Sequence, residues 1–250
     1  DGMQVPFPRG PGDIQTAVVN LVGRLAPHLP VADQPAFAHE IAEMIASRPN
    51  IMRDNMRLRQ GILRRATATD AHVVEALAAW VVLLFDLGNL QHDCARALDI
   101  RTDLPEDDVG RLARALDRSR NGCILAIPHI GSVELFVAHL KDRGFNTGFV
   151  FTIGADPTPT ERWILAGRRA TRGTPIAFGR RNTGAEIADL LAANGVLFMV
   201  VDVYPSDRFT GIDVAMFGGT FNVPPGPARY AAKGTLVLPG FASRGDARGL

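Results

Sequence analysis

Lysine is almost missing from this chain: Lys141 and Lys233 are the only two among 27 cationic side chains, and the rest are arginines. Such a bias, together with the many alanines, points to a GC-rich coding sequence before it points to a function. It has a chemical consequence all the same, because arginine presents a planar fork to phosphate and carboxylate oxygens. Cysteine is as scarce. Cys94 and Cys123 are too few and too far apart for a disulfide framework or a zinc site, so a reducing compartment is expected and no metal centre is implied. Neither sign of charge is in excess: 27 basic and 26 acidic residues leave a formal +1, which disfavours nucleic-acid binding by bulk charge. The apolar runs 78–85 and 196–201 fall far short of the roughly 18 residues a spanning helix requires, so no segment is expected to cross a bilayer. Residues 1–12 hold proline and glycine but no basic start followed by an apolar stretch, and they are expected to form a flexible arm, not a signal peptide.

What remains is an ordinary globular composition: 250 residues, 46% hydrophobic and 21% charged, enough for one α/β core with a helical appendage or, equally, for two domains. Over 13–119 the periodicity is helical. Ile14, Val18, Leu21, Val22 and Leu25 recur at helical spacing, and Phe37, Ile41, Met44 and Ile45 share one side of a second helix. An arginine-rich helix is expected over 50–65, then a long one capped by Asp70 and running to Leu90. Its middle, 78–85, is apolar all round and so expected to be buried on every side. A last helix starts within 102–106 and ends at Arg118.

From Gly122 the period changes. Apolar or β-rich runs at 123–127, 147–153, 174–178, 196–201 and 236–241 alternate with helical stretches. The fold class expected is therefore α/β, a central mostly parallel sheet flanked by helices and preceded by an N-terminal helical region. The organisation is an arm over 1–12, a helical region over 13–119 packed on the catalytic layer, and an α/β core over 120–250.

The sharpest local feature is the run from Ile127 to Glu134, where a buried strand ends and a helix begins with Ser132 as its N-cap. His129 falls in the turn, at the carboxyl edge of the sheet, where open α/β folds place ligands. Glu134 falls in the first helical turn. A histidine so placed can accept a proton from an attacking group, while a carboxylate on its other ring nitrogen holds the tautomer. The bland alternative is a loop histidine and an acid that complements the helix dipole. Spacing alone decides little, since about 0.6 such pairs are expected by chance. His28 and Asp33 form a second pair that straddles Pro30 with no strand before it, and it reads as structural.

Strand, His129, the turn of Ile130, Gly131 and Ser132, then Glu134 resembles the first block of the lysophospholipid acyltransferase superfamily, in which His is followed by four residues and Asp or Glu. Later blocks follow in the order of its lipid A late acyltransferase branch, which includes phosphatidylinositol mannoside acyltransferase-like proteins. Arg168, Arg169, Arg172 and Gly173 stand where that branch has its arginine and glycine block. Asp202 follows Asn194, Gly195 and an apolar strand; the stretch from Gly211 to Gly218 resembles one ending in Phe-Phe-Gly; Gly226 to Arg229 and the run from Val237 through Pro239 to Arg244 complete the series. The resemblance covers roughly 121–244. Val203 stands where the branch commonly has glutamine, and Met216 replaces the first aromatic of its Phe-Phe-Gly.

The resemblance implies a glycerolipid acyltransferase-like fold and transfer of a fatty acyl group from a thioester, acyl-CoA or acyl carrier protein, to a hydroxyl of a lipid or glycolipid. His129 would be the general base and Glu134 its orienter, with no cofactor and no metal. Arg168, Arg172, Asp202, Gly218, Gly226 and Arg229 would bind substrate; the alternatives are a solvated arginine face, a loop-capping aspartate, turn glycines and a surface helix residue. The departures and the arginine bias favour an actinobacterial glycolipid over lipid A as acceptor. Phe136, Phe149, Phe151 and Trp163 are candidates for an acyl tunnel or for plain core. The arginines at 53, 57, 59, 64 and 65, beside Ile51, Met52, Met56 and Leu58, suit either an anionic membrane surface or the exposed face of a bundle helix. The expected location is cytoplasmic, with peripheral attachment to the inner face of the plasma membrane as one form of it. Two other functions fit the sequence: a soluble tailoring acyltransferase of secondary metabolism acting on a small-molecule or carrier-bound acceptor, and a non-catalytic lipid-binding protein.

Overall fold

The structure, a computed structural model, describes residues 11–64, 67–98, 106–128, 131–152, 156–202, 211–216 and 219–241. Six helices come first: α1 (Pro11–Leu25), α2 (Gln34–Ala46), α3 (Ile51–Arg64), α4 (Asp70–His92), α5 (Cys94–Leu98) and α6 (Glu106–Ser119). Strands and helices then alternate: β1 (Cys123–Ile127), α7 (Val133–Asp142), β2 (Thr147–Phe151), α8 (Pro159–Ala170), β3 (Thr174–Ala177), α9 (Thr183–Ala192) and β4 (Val196–Val200). The hairpin β5 (Ile212–Met216) and β6 (Gly219–Val223), the helix α10 (Gly226–Ala231) and β7 (Leu236–Pro239) complete the described chain.

The fold is α/β. Five strands form one parallel sheet in the order β3-β2-β4-β1-β7, and β5 pairs with β6 antiparallel in a separate two-stranded sheet. Strand residues alternate between two faces, and both faces are covered. Leu125, Ile127, Phe149 and Phe198 pack with Leu112 and Leu116 of α6 and with Val133, Val137 and Leu140 of α7. On the opposite face Ile124, Ile176, Leu197 and Met199 pack with Ile187, Leu190 and Leu191 of α9. Burial on both sides is why these strands read as continuous apolar runs.

The helical layer is built around α4. Its Val73, Leu77, Val81, Leu84 and Phe85 are buried against Val18 and Val22 of α1 and Ile41 and Ile45 of α2. At its far end Asn89 and Gln34 exchange two amide hydrogen bonds, 2.9 and 3.2 Å, in a fully buried pair that pins α2 to α4 in one register. Over its whole length α4 is apolar enough by composition to cross a membrane, which the shorter run 78–85 did not suggest; more than half of that stretch is buried inside the protein. The expectation that 78–85 is buried on every side is corrected, because Ala79 is exposed and Trp80, Val82 and Leu83 are half-buried. One side of the helix faces outward, where none of the described helices covers it.

Other boundaries are corrected in detail. Thr69, not Asp70, caps α4: its side chain accepts from the His72 amide while its own amide donates to His72 Nδ1. The short α5, with the Ala95 and Arg96 amides on Asp93 Oδ1, and the hairpin β5–β6 have no counterpart in the sequence reading. Five residues are too few for helical periodicity to register. Of the arm expected over 1–12, Pro11 and Gly12 instead open α1, while residues 1–10, like the residues 102–105 read as a helix start, lie outside the described residues.

Helix α8 belongs to both layers. Its Trp163 and Ile164 pack on the helical core, and its Leu165 packs on the sheet cluster. A boundary drawn in sequence near residue 119 is therefore not a gap in space.

Candidate active site

Strand β1 ends at Ile127, and α7 starts six residues later at Val133. Gly131 sits in the left-handed region at φ +69°, where a side chain would be strained, and Ser132 then caps the helix by accepting from the Leu135 amide at 3.4 Å. That tight exit fixes where the first turn of α7 begins. Glu134 is in that turn and only 7% exposed. Its Oε1 accepts from Arg168 Nε, in the last turn of α8, at 2.9 Å. An isolated carboxylate would be costly at such a depth, and the guanidinium is what makes the position tenable.

The pair stands in the wall of a narrow apolar cleft. Val133 and Val137 of α7, Phe149 of β2 and Phe198 and Val200 of β4 form most of the remaining wall, with Thr171 beyond α8. Phe149 and Phe198 are register partners on neighbouring strands, so their rings fall on the same face. Phe136 closes on Phe198 edge to face, with ring centroids 5.3 Å apart. Thr171 is held by donating to the Arg168 carbonyl and accepting from the Gly173 amide.

Of the residues expected in the site, the structure brings Glu134 and Arg168 into direct contact. Arg168, read from sequence as either a substrate ligand or part of a solvated arginine face, gives its Nε to Glu134. His129 and Gly218 lie outside the described residues. Asp202 follows β4 closely and is exposed. The amide of Val201, just before it, donates to the Ile127 carbonyl at 3.0 Å, so the chain leaving β4 runs beside the chain leaving β1 at one sheet edge. Arg172 sits at φ +62° and donates to Cys94 Sγ at 3.6 Å, away from the cleft wall. Gly226 opens α10, where an added Cβ would meet only Met199 Sδ, at 3.5 Å. Arg229 is exposed on the same helix. Neither lines the cleft.

The four aromatic candidates separate. Phe149 lines the cleft, Phe136 buttresses it, Phe151 is buried in the same cluster, and Trp163 packs on the helical core. Sequence reasoning missed Phe198, Val133, Val137 and Thr171. The alternation within 196–200 could have put Phe198 and Val200 on one face, but not which helix that face meets. Among the described residues no group of three or more His, Cys, Asp or Glu could hold a metal ion. Burial pushes the Cys123 thiol up to about 12 and raises Tyr230, and neither touches the cleft. No protein-family model matches this chain, and no curated protein matches it either.

Proposed function

We propose that this protein is an acyltransferase with a glycerolipid acyltransferase-like core, moving a fatty acyl group from a thioester to a hydroxyl of a lipid or glycolipid. The observation that carries the reading is the buried carboxylate of Glu134. It lies five positions after His129, is locked by Arg168, and stands in the wall of an apolar cleft. A carboxylate can accept several hydrogen bonds, so Oε1 on Arg168 leaves Oε2 for an imidazole N–H.

In this reaction His129 takes the proton from the acceptor hydroxyl as its oxygen attacks the thioester carbonyl carbon. The new C–O bond forms, the C–S bond breaks, and the departing thiolate takes the proton back from the imidazolium. Glu134 steadies that imidazolium and selects the tautomer, which for a positioned base is worth roughly 10²–10⁴-fold in rate. Arg168 keeps the carboxylate aimed. The apolar cleft suits the acyl chain, with Phe149 and Phe198 on its walls. Asp202, near the same sheet edge, suits the polar end of the acceptor.

The test is incubation with acyl-CoA and with acyl-loaded carrier protein against a panel of lipid and glycolipid hydroxyl acceptors, reading free thiol release. The expected result is acceptor-dependent release that His129→Ala abolishes. If folded protein consumes neither thioester with any acceptor, the reading is wrong.

A further inference from the structure

Helix α8 bridges the two layers, and among the described residues three polar contacts tie it to other helices. Near its start Thr160 meets Thr16 of α1, hydroxyl to hydroxyl, at 3.2 Å, and near its end Arg168 holds Glu134 of α7. Between them Gln91, in the last turn of α4, donates from its side-chain amide to the Trp163 carbonyl at 3.1 Å. Within an α-helix that carbonyl is already engaged by the amide four residues on, here Gly167, so Gln91 brings a second donor to one oxygen.

Gln91 reaches α8 because position 167 has no side chain. A Cβ there would lie 3.2 Å from Gln91 Nε2 and 2.6 Å from Leu87 Cδ2. Glycine weakens a helix interior, so α8 gives up some helical stability for this approach. Nearby, Trp163 and Ile164 pack on the same layer through apolar contacts, which carry no direction. A hydrogen bond does, and it fixes the register of α8 on α4. Arg168 follows Trp163 by five residues, about 7.5 Å along the axis, so any slide or turn of α8 at Trp163 displaces the guanidinium that holds Glu134.

We infer that Gln91 is a positioning residue for the candidate active site: its amide sets α8 at Trp163, α8 sets Arg168, and Arg168 aims the Glu134 carboxylate. The N-terminal helical layer thereby takes part in shaping a site built on the sheet layer. The kinetic consequence rests on the acyl-transfer reading; the structural link from Gln91 to Arg168 does not. A misplacement of about 1 Å in a catalytic constellation can lower its rate about a hundred-fold. Adjacency alone does not establish such a link, so the test reads coupling.

The test compares the full chain with Gln91→Met, which keeps the length and loses the donor, and with Gln91→Lys, which restores a donor. Proton–nitrogen correlation spectra of the arginine side chains read the link without turnover, with the Arg168 Nε–H resonance assigned by its loss in Arg168→Gln. That resonance is expected to shift in Gln91→Met toward its position in Glu134→Gln, and to return toward wild type in Gln91→Lys. In thiol release Gln91→Met should lower kcat roughly ten- to hundred-fold, with KM for the thioester changed by less than about two-fold, and should add no further loss in a Glu134→Gln background. An Arg168 resonance unmoved in Gln91→Met overturns the inference, as does a loss of rate that persists in the Glu134→Gln background. If Gln91→Met does not fold, Gln91→Glu, equal in shape and without a donor when ionised, takes its place. If the resonance moves as expected but wild type releases no thiol with any acceptor, the acyl-transfer reading fails and the link from Gln91 to Arg168 stands.

Discussion

Glu134 and Arg168 are 34 residues apart in sequence, yet Arg168 Nε donates to Glu134 Oε1 at 2.9 Å, with side chains only 23% and 10% exposed. The contact joins the first turn of α7 to the last turn of α8. It links the strand-turn-helix element that carries His129 to a helix packed on the N-terminal layer.

Removing either partner strands the other. Glu134→Gln and Arg168→Gln should each cost about 1–3 kcal/mol, somewhat less than a fully buried pair because the guanidinium is partly solvated. The double variant should cost less than the sum, with a coupling of about 1–2 kcal/mol. Urea unfolding of the four proteins measures it. Additive costs would mean that the contact contributes nothing of its own. If the transferase reading holds, Glu134→Gln also lowers thiol release about 10²-fold or more.

Gly167 tests how α8 is held. A Cβ there would stand 2.6 Å from Leu87 Cδ2 and 3.1 Å from Leu87 Cβ on α4, and Leu87 is buried. Alanine ordinarily favours a helix over glycine by up to about 1 kcal/mol, but here overpacking of about 1–3 kcal/mol opposes it. Gly167→Ala should therefore destabilise the protein and, by moving Arg168, reduce thiol release. Gly184→Ala on α9, with nothing within 4 Å, should stabilise by up to about 1 kcal/mol. Denaturation midpoints give both signs, and a stabilised Gly167→Ala would refute the close-packing account.

The two cysteines should differ sharply. Cys123 is fully buried on β1, and desolvation raises its pKa from 9.0 to about 12; Cys94 is partly exposed beside Arg172. In native protein at pH 8 iodoacetamide should modify Cys94 and leave Cys123 intact, as mass spectrometry of peptides would show. Because the folded pKa is raised, the neutral thiol's contribution to stability is fully present below pH 9. It is lost as pH rises toward about 12, with a slope of at most about 1.4 kcal/mol per pH unit. Cys123→Ala should flatten that alkaline decline.

Much of the architecture was legible because burial leaves a period. The doubly covered strands β1 and β4 appear as unbroken apolar runs, and α1, α2 and α4 show their inward stripes. The turn before α7 was legible for a local reason, since Gly131 and Ser132 do their work within four residues. Less legible were features whose cause lies elsewhere in the chain. Leu58 and Met56 look alike in sequence, and only the position of α4 makes one core and the other surface. Likewise Arg168, Arg169 and Arg172 form one basic cluster, from which the fold selects Arg168 for Glu134.

The sequence by itself determined the α/β class, the helical first half, and a strand-turn-helix motif with a histidine and an acid in close succession. These follow from side-chain periodicity and turn chemistry, which act over a few residues. Tertiary structure alone decided the strand order, the placing of α8 across both layers, the meeting of Phe149 with Phe198 in one cleft wall, and the pairing of Glu134 with Arg168. Each depends on which apolar faces bury one another, a choice made between segments tens of residues apart.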